Sequence, residues 1–411
     1  MSDSSVAVAL PGAQAPSRRL PRGVTFAAVA AIFVLFMAAS SAPSPLYVVY
    51  QQNWHFSATT LTAVFAVYVV GLIGSLLVLG ALSDHVGRRP VLGAAVLLEA
   101  VSLVLFLVAG GVPVLFLARL VQGIATGAAM TTMAATLVDL DPPHAPGRAG
   151  MINGVAPTAG LALGALGCGA LVQFGPAPTH LVYALLLAGM VLAALIVAAM
   201  PETSGLRPGG LRSLLPRLGV PQRLRAEFFA LIPILLASWS LGGLYLSLGP
   251  SIASGLFGLT NHLVGGLVVT LLCGTGALAT FLLRTRPVTL VLTTGAALLT
   301  AGVGITLAGI AAHLIALAAA GTVVAGIGFG ASALASFGTL ARISAPAERG
   351  ELFAVAYVIS YLAFSLPAVV AGLAATAFGL RLTALVYAAV LVALAGTALV
   401  IQMVRRRAHA S

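Results

Sequence analysis

The chain runs to 411 residues without a single lysine; its 20 basic residues are all arginine, set against nine acids. Charged residues make up only 7% of the chain and apolar ones 60%, with a mean hydropathy of +1.11. A soluble domain carries about 25% charged residues, so this shortage excludes a water-soluble fold. Cysteine is nearly as scarce: Cys168 and Cys273 both fall within apolar stretches, where thiols act as inert packing groups, and a disulfide framework is not expected. Also missing are metal-ligand spacings, a nucleotide-binding loop and a nucleophile motif. ATP-driven transport and membrane-enzyme chemistry therefore lack support, and no catalytic residue, cofactor or metal is expected.

What is present is a succession of long apolar runs. A helix needs about 20 mostly apolar residues to cross the hydrocarbon core. Twelve such runs fit, at 24–47, 59–82, 90–109, 112–138, 149–174, 179–200, 228–254, 262–283, 287–309, 314–340, 352–378 and 382–404. They are numbered here as spans 1 to 12. The expectation is an all-α polytopic membrane protein. Residues 1–22 are Ser/Ala/Pro-rich without an apolar core and read as a disordered cytoplasmic tail rather than a signal peptide. Residues 23–200 form a six-helix N-terminal bundle, 201–227 a basic cytoplasmic linker, 228–404 a C-terminal bundle and 405–411 a second cytoplasmic tail.

The net charge of +11 would suggest nucleic acid if its placement were ignored. With a cytoplasmic N-terminus, 18 arginines fall on the inner side, Arg381 alone falls outside, and Arg119 lies within span 4. That asymmetry follows the positive-inside rule for a multi-pass protein of the plasma (inner) membrane with both termini cytoplasmic. A nucleic-acid partner is not needed to account for the charge. His55, His180, His262 and His313 fall in the predicted outer loops, where solvated histidine is the ordinary case.

The two halves echo each other. VQGIATGAA from Val121 matches VAGIGFGAS from Val324, an offset of 203 shared by Thr136-Leu137 and Thr339-Leu340. Arg148 and Arg349 are 201 apart, Arg89-Pro90 and Arg286-Pro287 are 197 apart, and Ala42-Pro43-Ser44 and Gly249-Pro250-Ser251 are 207 apart. Five matches in order argue for duplicated six-helix halves, a plan that lets two bundles rock about a site near the midplane.

Residues 80–92, GALSDHVGRRPVL, form the hinge between spans 2 and 3. The segment resembles the loop between the second and third helices of major facilitator superfamily transporters, through Gly80, Leu82, Ser83, Asp84, Gly87, Arg88 and Arg89; His85 replaces the usual arginine. The resemblance implies twelve transmembrane helices in two pseudo-symmetric six-helix bundles. It also implies a conformational latch formed by Gly80, Asp84, Gly87, Arg88 and Arg89 that binds neighbouring helix ends at the inner gate. The equivalent FLLRTRP stretch in the second half lacks the acid and the glycines, so such a latch is one-sided.

Features confined to one half are the better functional candidates. Arg119 lies within span 4, and its counterpart is Thr322. A charge at the bilayer centre costs roughly 2.5–3.5 kcal/mol on insertion scales and should face protein or water. Arg119, Gln122 and Thr126 fall on one helical stripe. LARLVQGIATGAA resembles the superfamily's fourth-helix motif, Arg-x-x-Gln-Gly, whose arginine is implicated in proton transfer or site organisation; the alternative is an arginine bonded to helix carbonyls. Glu99 is the one acid deep inside a span and lies at a depth close to that of Arg119. A protonatable acid near an arginine is a workable coupling element, and a locally paired acid is the alternative.

Span 5 carries NGVAPTAGLALGALGCGA, similar to the fifth-helix motif of drug/proton antiporters but without its proline and one glycine. Gly123, Gly160, Gly164 and Gly326 are expected to let helices pack closely. Met37, Tyr68, Met130, Trp239, Tyr245, Phe329, Tyr357 and Tyr361 lie in spans that line or border the cavity of this fold. Of these, Trp239, Tyr245, Tyr357 and Tyr361 join Arg119, Gln122, Thr126 and Glu99 as the substrate and proton pathway. The predicted cavity helices hold few amides and almost no charge besides Arg119, so a sugar or peptide site is disfavoured. The expectation is a monomeric, bilayer-embedded secondary transporter that works by alternating access and exports small, largely apolar compounds in exchange for protons. The alternatives are proton-coupled uptake of a small organic anion or metabolite, and a non-transporting polytopic sensor or partner protein.

Overall fold

Prolines at matching places in the repeat decide where two long helices break. A proline within a helix removes an N–H donor and crowds the turn before it, but suits the first turn of a new helix. In this computed structural model, which describes residues 19–205, 215, 218–345 and 348–408, a helix over Arg22–Ser41 restarts as Pro43–Trp54. Its counterpart over Arg225–Ser247 restarts as Gly249–Phe257, with Pro250 in the first turn. The Pro43/Pro250 match is thus a duplicated break.

Among the described residues, twelve helices are long and apolar enough to cross a membrane. Span 1 covers Arg22–Trp54, span 2 Ala58–Leu79, span 3 Arg88–Leu107, span 4 Val112–Asp139, span 5 Arg148–Phe174 and span 6 Leu181–Ala199. Span 7 covers Gln222–Ser247, span 8 His262–Leu283, span 9 Val288–Ala311, span 10 Ile315–Ile343, span 11 Arg349–Phe378 and span 12 Leu380–Arg407. No strand occurs among them. In lipid every backbone polar group must be satisfied within the protein, and a helix does this segment by segment.

Several boundaries differ from expectation, among them the end of span 7, which falls at Ser247 rather than 254 because the chain restarts at Gly249. Span 1 continues to Trp54 because the helix restarted at Pro43 carries on. Span 7 opens at Gln222 rather than 228: Arg225, Ala226 and Glu227 are good helix formers, and Glu227 is ion-paired with Arg405. Span 12 continues through Arg405–Arg407, whose cations suit a helix C-terminus. Residues 1–18 of the tail expected over 1–22, the linker arginines Arg207, Arg212 and Arg217, and the last residues, 409–411, lie outside the described residues, and Arg22 opens the first helix instead of closing the tail.

Packing repeats the symmetry. Span 4 lies against spans 2 and 3, span 1 against span 5, and span 3 against span 6; span 10 likewise lies against spans 8 and 9, span 7 against span 11, and span 9 against span 12. The halves meet where span 5 packs on span 8 and span 2 on span 11, a pair of contacts that a two-fold exchange of the halves maps onto each other. Matching glycines make the close approaches. A Cβ on Gly123 would strike the Tyr68 carbonyl of span 2, and one on Gly326 would lie 2.6 Å from the Leu272 oxygen of span 8. Gly160 and Gly164 meet span 1 at Met37 and Ala38 in the same manner.

Candidate functional site

The polar stripe of span 4 is built into the N-terminal half. Arg119 is 1% exposed, and Glu99, Gln122 and Thr126 are fully buried. Arg119 Nη1 donates to Gln122 Oε1 at 2.6 Å and to the Ser40 carbonyl of span 1 at 3.0 Å. Gln122 Nε2 donates to Glu99 Oε1 at 3.0 Å and to the Ala39 carbonyl at 3.1 Å. The amide therefore stands between the acid and the guanidinium and bonds to both. Thr126 Oγ1 donates to the Gln122 carbonyl at 2.8 Å and lies 3.4 Å from Ser40 Oγ, which accepts from Tyr68 OH at 3.2 Å.

The guanidinium carbon sits 4.8 Å from the Tyr68 ring centre and 5.6 Å from that of Tyr47, distances at which an aromatic face stabilises a cation. Three polar atoms of the cluster, Glu99 Oε2, Arg119 Nε and Tyr47 OH, have no hydrogen-bond partner. The span 4 stripe and Glu99, singled out on separate grounds, thus form one network on spans 3 and 4, anchored to span 1. The carbonyl-bonded arginine and the acid-coupled arginine turn out to be the same residue. Arg119 is enclosed by its own half. Ser40 was not foreseen; its signal was its place one turn before the Pro43 break.

The second half answers differently. Thr322, the counterpart of Arg119, has its Oγ1 2.6 Å from Tyr245 OH on span 7. Tyr245 therefore belongs to the interior of the C-terminal half rather than to the layer between the halves. Trp239, Tyr357 and Tyr361 do form one aromatic group: Trp239 stands edge-on to Tyr361 at 4.9 Å, and Phe337 stacks on Tyr357 at 4.8 Å. Phe364 extends it to Phe65 of span 2 at 5.1 Å. Tyr361 OH donates to Met130 Sδ of span 4 at 3.3 Å, so this group bridges the two halves. The Trp239 indole N–H is buried without an acceptor.

At the end carrying the chain termini, the hinge is an ion cluster. Arg88 pairs with Asp84 at 2.5 Å and with Asp139, the last residue of span 4, at 3.1 Å, and it donates to Ser83 Oγ at 2.7 Å. Glu202, just beyond span 6, accepts from the backbone N–H of Arg88 at 2.7 Å and of Arg89 at 3.0 Å. A carboxylate at a helix N-terminus satisfies free donors and complements the helix dipole. Gly87 makes room for it: its φ is +106°, and a Cβ there would lie 2.7 Å from Glu202 Oε2. Arg89 Nη2 donates to the Ala198 carbonyl of span 6. Gly80 caps span 2, its N–H bonded to the Leu76 carbonyl. The hinge therefore ties spans 3, 4 and 6 of one half together. Asp139 and Glu202 were missed in the sequence, although each follows an apolar span directly in a chain with only nine acids.

Among the described residues, the polar contacts between the halves are hydrogen bonds rather than ion pairs. Ser44 Oγ donates to the Leu246 carbonyl at 2.6 Å and Ser251 Oγ to Gln51 at 3.3 Å, so the duplicated Pro-Ser breaks each reach into the other half. Thr59 Oγ1 lies 3.0 Å from Thr376 Oγ1 and donates to the Gly372 carbonyl at 3.3 Å; the His262 N–H donates to Gln173 at 2.9 Å. All these residues lie toward the end away from the termini. The four ion pairs between described residues each fall within one half.

A family model described as the Major Facilitator Superfamily matches residues 29–318, and the chain belongs to that superfamily. Solved structures share its fold. A bacterial homologue of the human lysosomal transporter Spinster, inward-facing and unoccupied, matches at 16% identity with a TM-score of 0.72 over 93% of this chain and 97% of that one. A mutant of the nucleoside transporter NupG matches at 13% and 0.69 over 93% and 100%. The human organic anion transporter MFSD10 matches at 18% and 0.66 over 92% and 100%. At these identities the likeness shows the fold alone. The family and the fold are those of multi-pass membrane transporters.

Proposed function

We propose that this protein is a proton-coupled exporter of small, largely apolar compounds, working as a monomer by alternating access. Its place would be the plasma (inner) membrane, with both termini in the cytoplasm. The observation that carries the reading is the composition of the layer between the halves. Trp239, Tyr361, Phe364 and Phe65 meet there without a charged residue among them, and Trp239 holds a donor N–H with no partner. Such a surface suits an apolar molecule with one acceptor, since a polar group buried without its hydrogen bond is costly.

The Glu99–Gln122–Arg119 network supplies the proton site. Glu99 Oε2, which has no partner, is the oxygen that takes the proton. Once it does, Arg119 loses its counter-charge while keeping only neutral acceptors on Gln122 and Ser40. The gain or loss of that proton therefore changes how firmly span 4 is held to spans 1 and 3. Asp84, with its side chain 45% exposed and paired to Arg88, is the hinge residue available to a partner in the other half. The bonds at the end away from the termini support a state open toward the termini.

The test is transport in proteoliposomes under an imposed pH gradient, with Nile red, a neutral apolar dye that carries acceptor groups, as the probe. Gradient-driven movement that a protonophore abolishes is expected for the native chain, with near-complete loss in Glu99→Ala and Arg119→Ala. Movement that persists in Arg119→Ala would remove that residue from the mechanism. Absence of gradient-driven movement across a varied compound panel would defeat the exporter reading.

A further inference from the structure

The two halves share a framework but not a filling. A cavity of about 230 Å³ lies inside the C-terminal half, among spans 7, 8, 9, 10 and 12, away from the aromatic layer between the halves. Carrying the repeat offsets across explains why it is there. Leu46, Phe106, Leu115 and Arg119 fill the interior of the N-terminal half, all of them buried. At the corresponding positions stand Ala253, Val303, Ala318 and Thr322, and all four line the cavity. Four large residues in one half are thus four small ones in the other, each opening onto the same space. Two further lining residues, Leu267 and Ile315, are exposed and form its rim.

Its chemistry is specific. No lining residue carries a charge, and the polar side chains among them are Tyr245, Thr306 and Thr322. Thr322 Oγ1 donates to the Ala318 carbonyl at 2.9 Å, so Tyr245 is the donor in its 2.6 Å bond to Thr322. Thr306 Oγ1 likewise donates to the Gly302 carbonyl at 3.0 Å, so all three lining hydroxyls have committed their protons and can offer a guest only acceptor oxygens. Protein interiors hold few voids of this size, and a dry apolar cavity of about 150 Å³ already takes up a benzene-sized guest. From the paired substitutions and these donor-free hydroxyl oxygens, we propose that the cavity is a second binding site, separate from the central layer. Its ligand is a small neutral molecule with an apolar ring body and one hydroxyl, a phenol or cyclic alcohol. A charged ligand is excluded because nothing in the lining would compensate its desolvation.

The experiment measures equilibrium binding of labelled thymol to the full chain in lipid nanodiscs, with empty nanodiscs as the partition control. Saturable binding is expected for the native chain. Val303→Phe, which installs the residue of the other half, should weaken it at least tenfold without lowering the unfolding temperature. Tyr245→Phe, which keeps the shape and removes one of the three acceptors, should weaken thymol binding toward that of p-cymene, the same skeleton without the hydroxyl. p-Cymene itself should bind the native chain and Tyr245→Phe equally. Uptake no greater than in empty nanodiscs would overturn the proposal, as would thymol binding unchanged in both variants. A phospholipid retained through purification, lost in Val303→Phe and not displaced by thymol would also overturn it, by making the cavity a lipid-chain site.

Discussion

Glu99 and Arg119 do not touch, yet the structure requires them to be energetically coupled through Gln122. The perturbation is a double-mutant cycle of Glu99→Gln and Arg119→Met, each of which removes a charge while keeping a side chain of similar length. Each single change leaves the other charge buried without its partner, and breaking a buried pair in this way costs about 3–5 kcal/mol. The coupling itself is smaller. Hydrogen bonds of 2.6 and 3.0 Å lie on either side of the amide. That places the charges roughly 6–8 Å apart, where an effective dielectric of about 20 makes their attraction roughly 2–3 kcal/mol. The Gln122 oxygen that loses its donor in Arg119→Met loses it equally in the double variant, so this cost cancels in the cycle. Unfolding by SDS in mixed micelles, followed by tryptophan fluorescence, yields the four free energies. The double variant should be more stable than the two single losses predict by roughly 2 kcal/mol when both groups are charged, measured as the largest coupling over a series of buffers from neutral to alkaline. A coupling below about 0.5 kcal/mol throughout that series is ordinary additivity and would refute the shared network.

Glu202→Ala removes the cap on the first turn of span 3 and should cost about 1 kcal/mol of stability in the same assay; an unchanged value would mean that the hinge is held by Arg88 alone. Gly123→Val and Gly326→Val should each abolish the folded, monodisperse protein, because both Cβ positions are occupied by a facing helix; normal chromatography of either would contradict the duplicated packing. Gly372→Val pushes on Thr62 and Ala58 and should separate spans 2 and 11, raising the labelling rate of a cysteine at Thr59 severalfold. An unaltered rate would place the closure elsewhere. Cysteines at Asn53 and Arg286 should react with an impermeant maleimide from opposite faces of the membrane, and labelling from one face would break the twelve-span topology.

The one-dimensional features were the most legible. Spans, breaks and the repeat depend on local hydrophobicity and on Pro and Gly, and all of these survive in the fold within a few residues. The stripe of Arg119, Gln122 and Thr126 was legible because helical periodicity alone places it. Glu99 was linked to it by depth, which a span's length supplies. What could not be read was which helices become neighbours. Ser40 joins the network only because span 1 packs on span 4. Asp139 and Glu202 join the hinge only because the ends of spans 4 and 6 converge there. Tyr245 was assigned to the pathway between the halves because its span borders that pathway, but its side chain turns to Thr322, a rotation that no single span reveals. The cavity beside it was legible only in retrospect, since the paired exchanges gain meaning once the offsets are known to align spatial neighbours.

Those exchanges also bear on how two similar bundles can do different work. Had both interiors held an arginine–acid network, gaining a proton would loosen both halves alike and would give no reason for one to move against the other. Here the buried charge is confined to spans 3 and 4, where Arg119 is fixed by a carbonyl, an amide and two aromatic faces. The equivalent place in the second half is held by bonds between neutral groups, Tyr245 to Thr322 and Thr322 to the Ala318 carbonyl, whose strength does not depend on a proton. The aromatic layer is weighted the other way, with Trp239, Tyr357 and Tyr361 all on spans 7 and 11. On the proposed cycle, the N-terminal half therefore senses the proton and the C-terminal half supplies most of the surface that holds the cargo. The coupling between them has to pass through the contacts that join both, among them the bond from Tyr361 to Met130 on span 4.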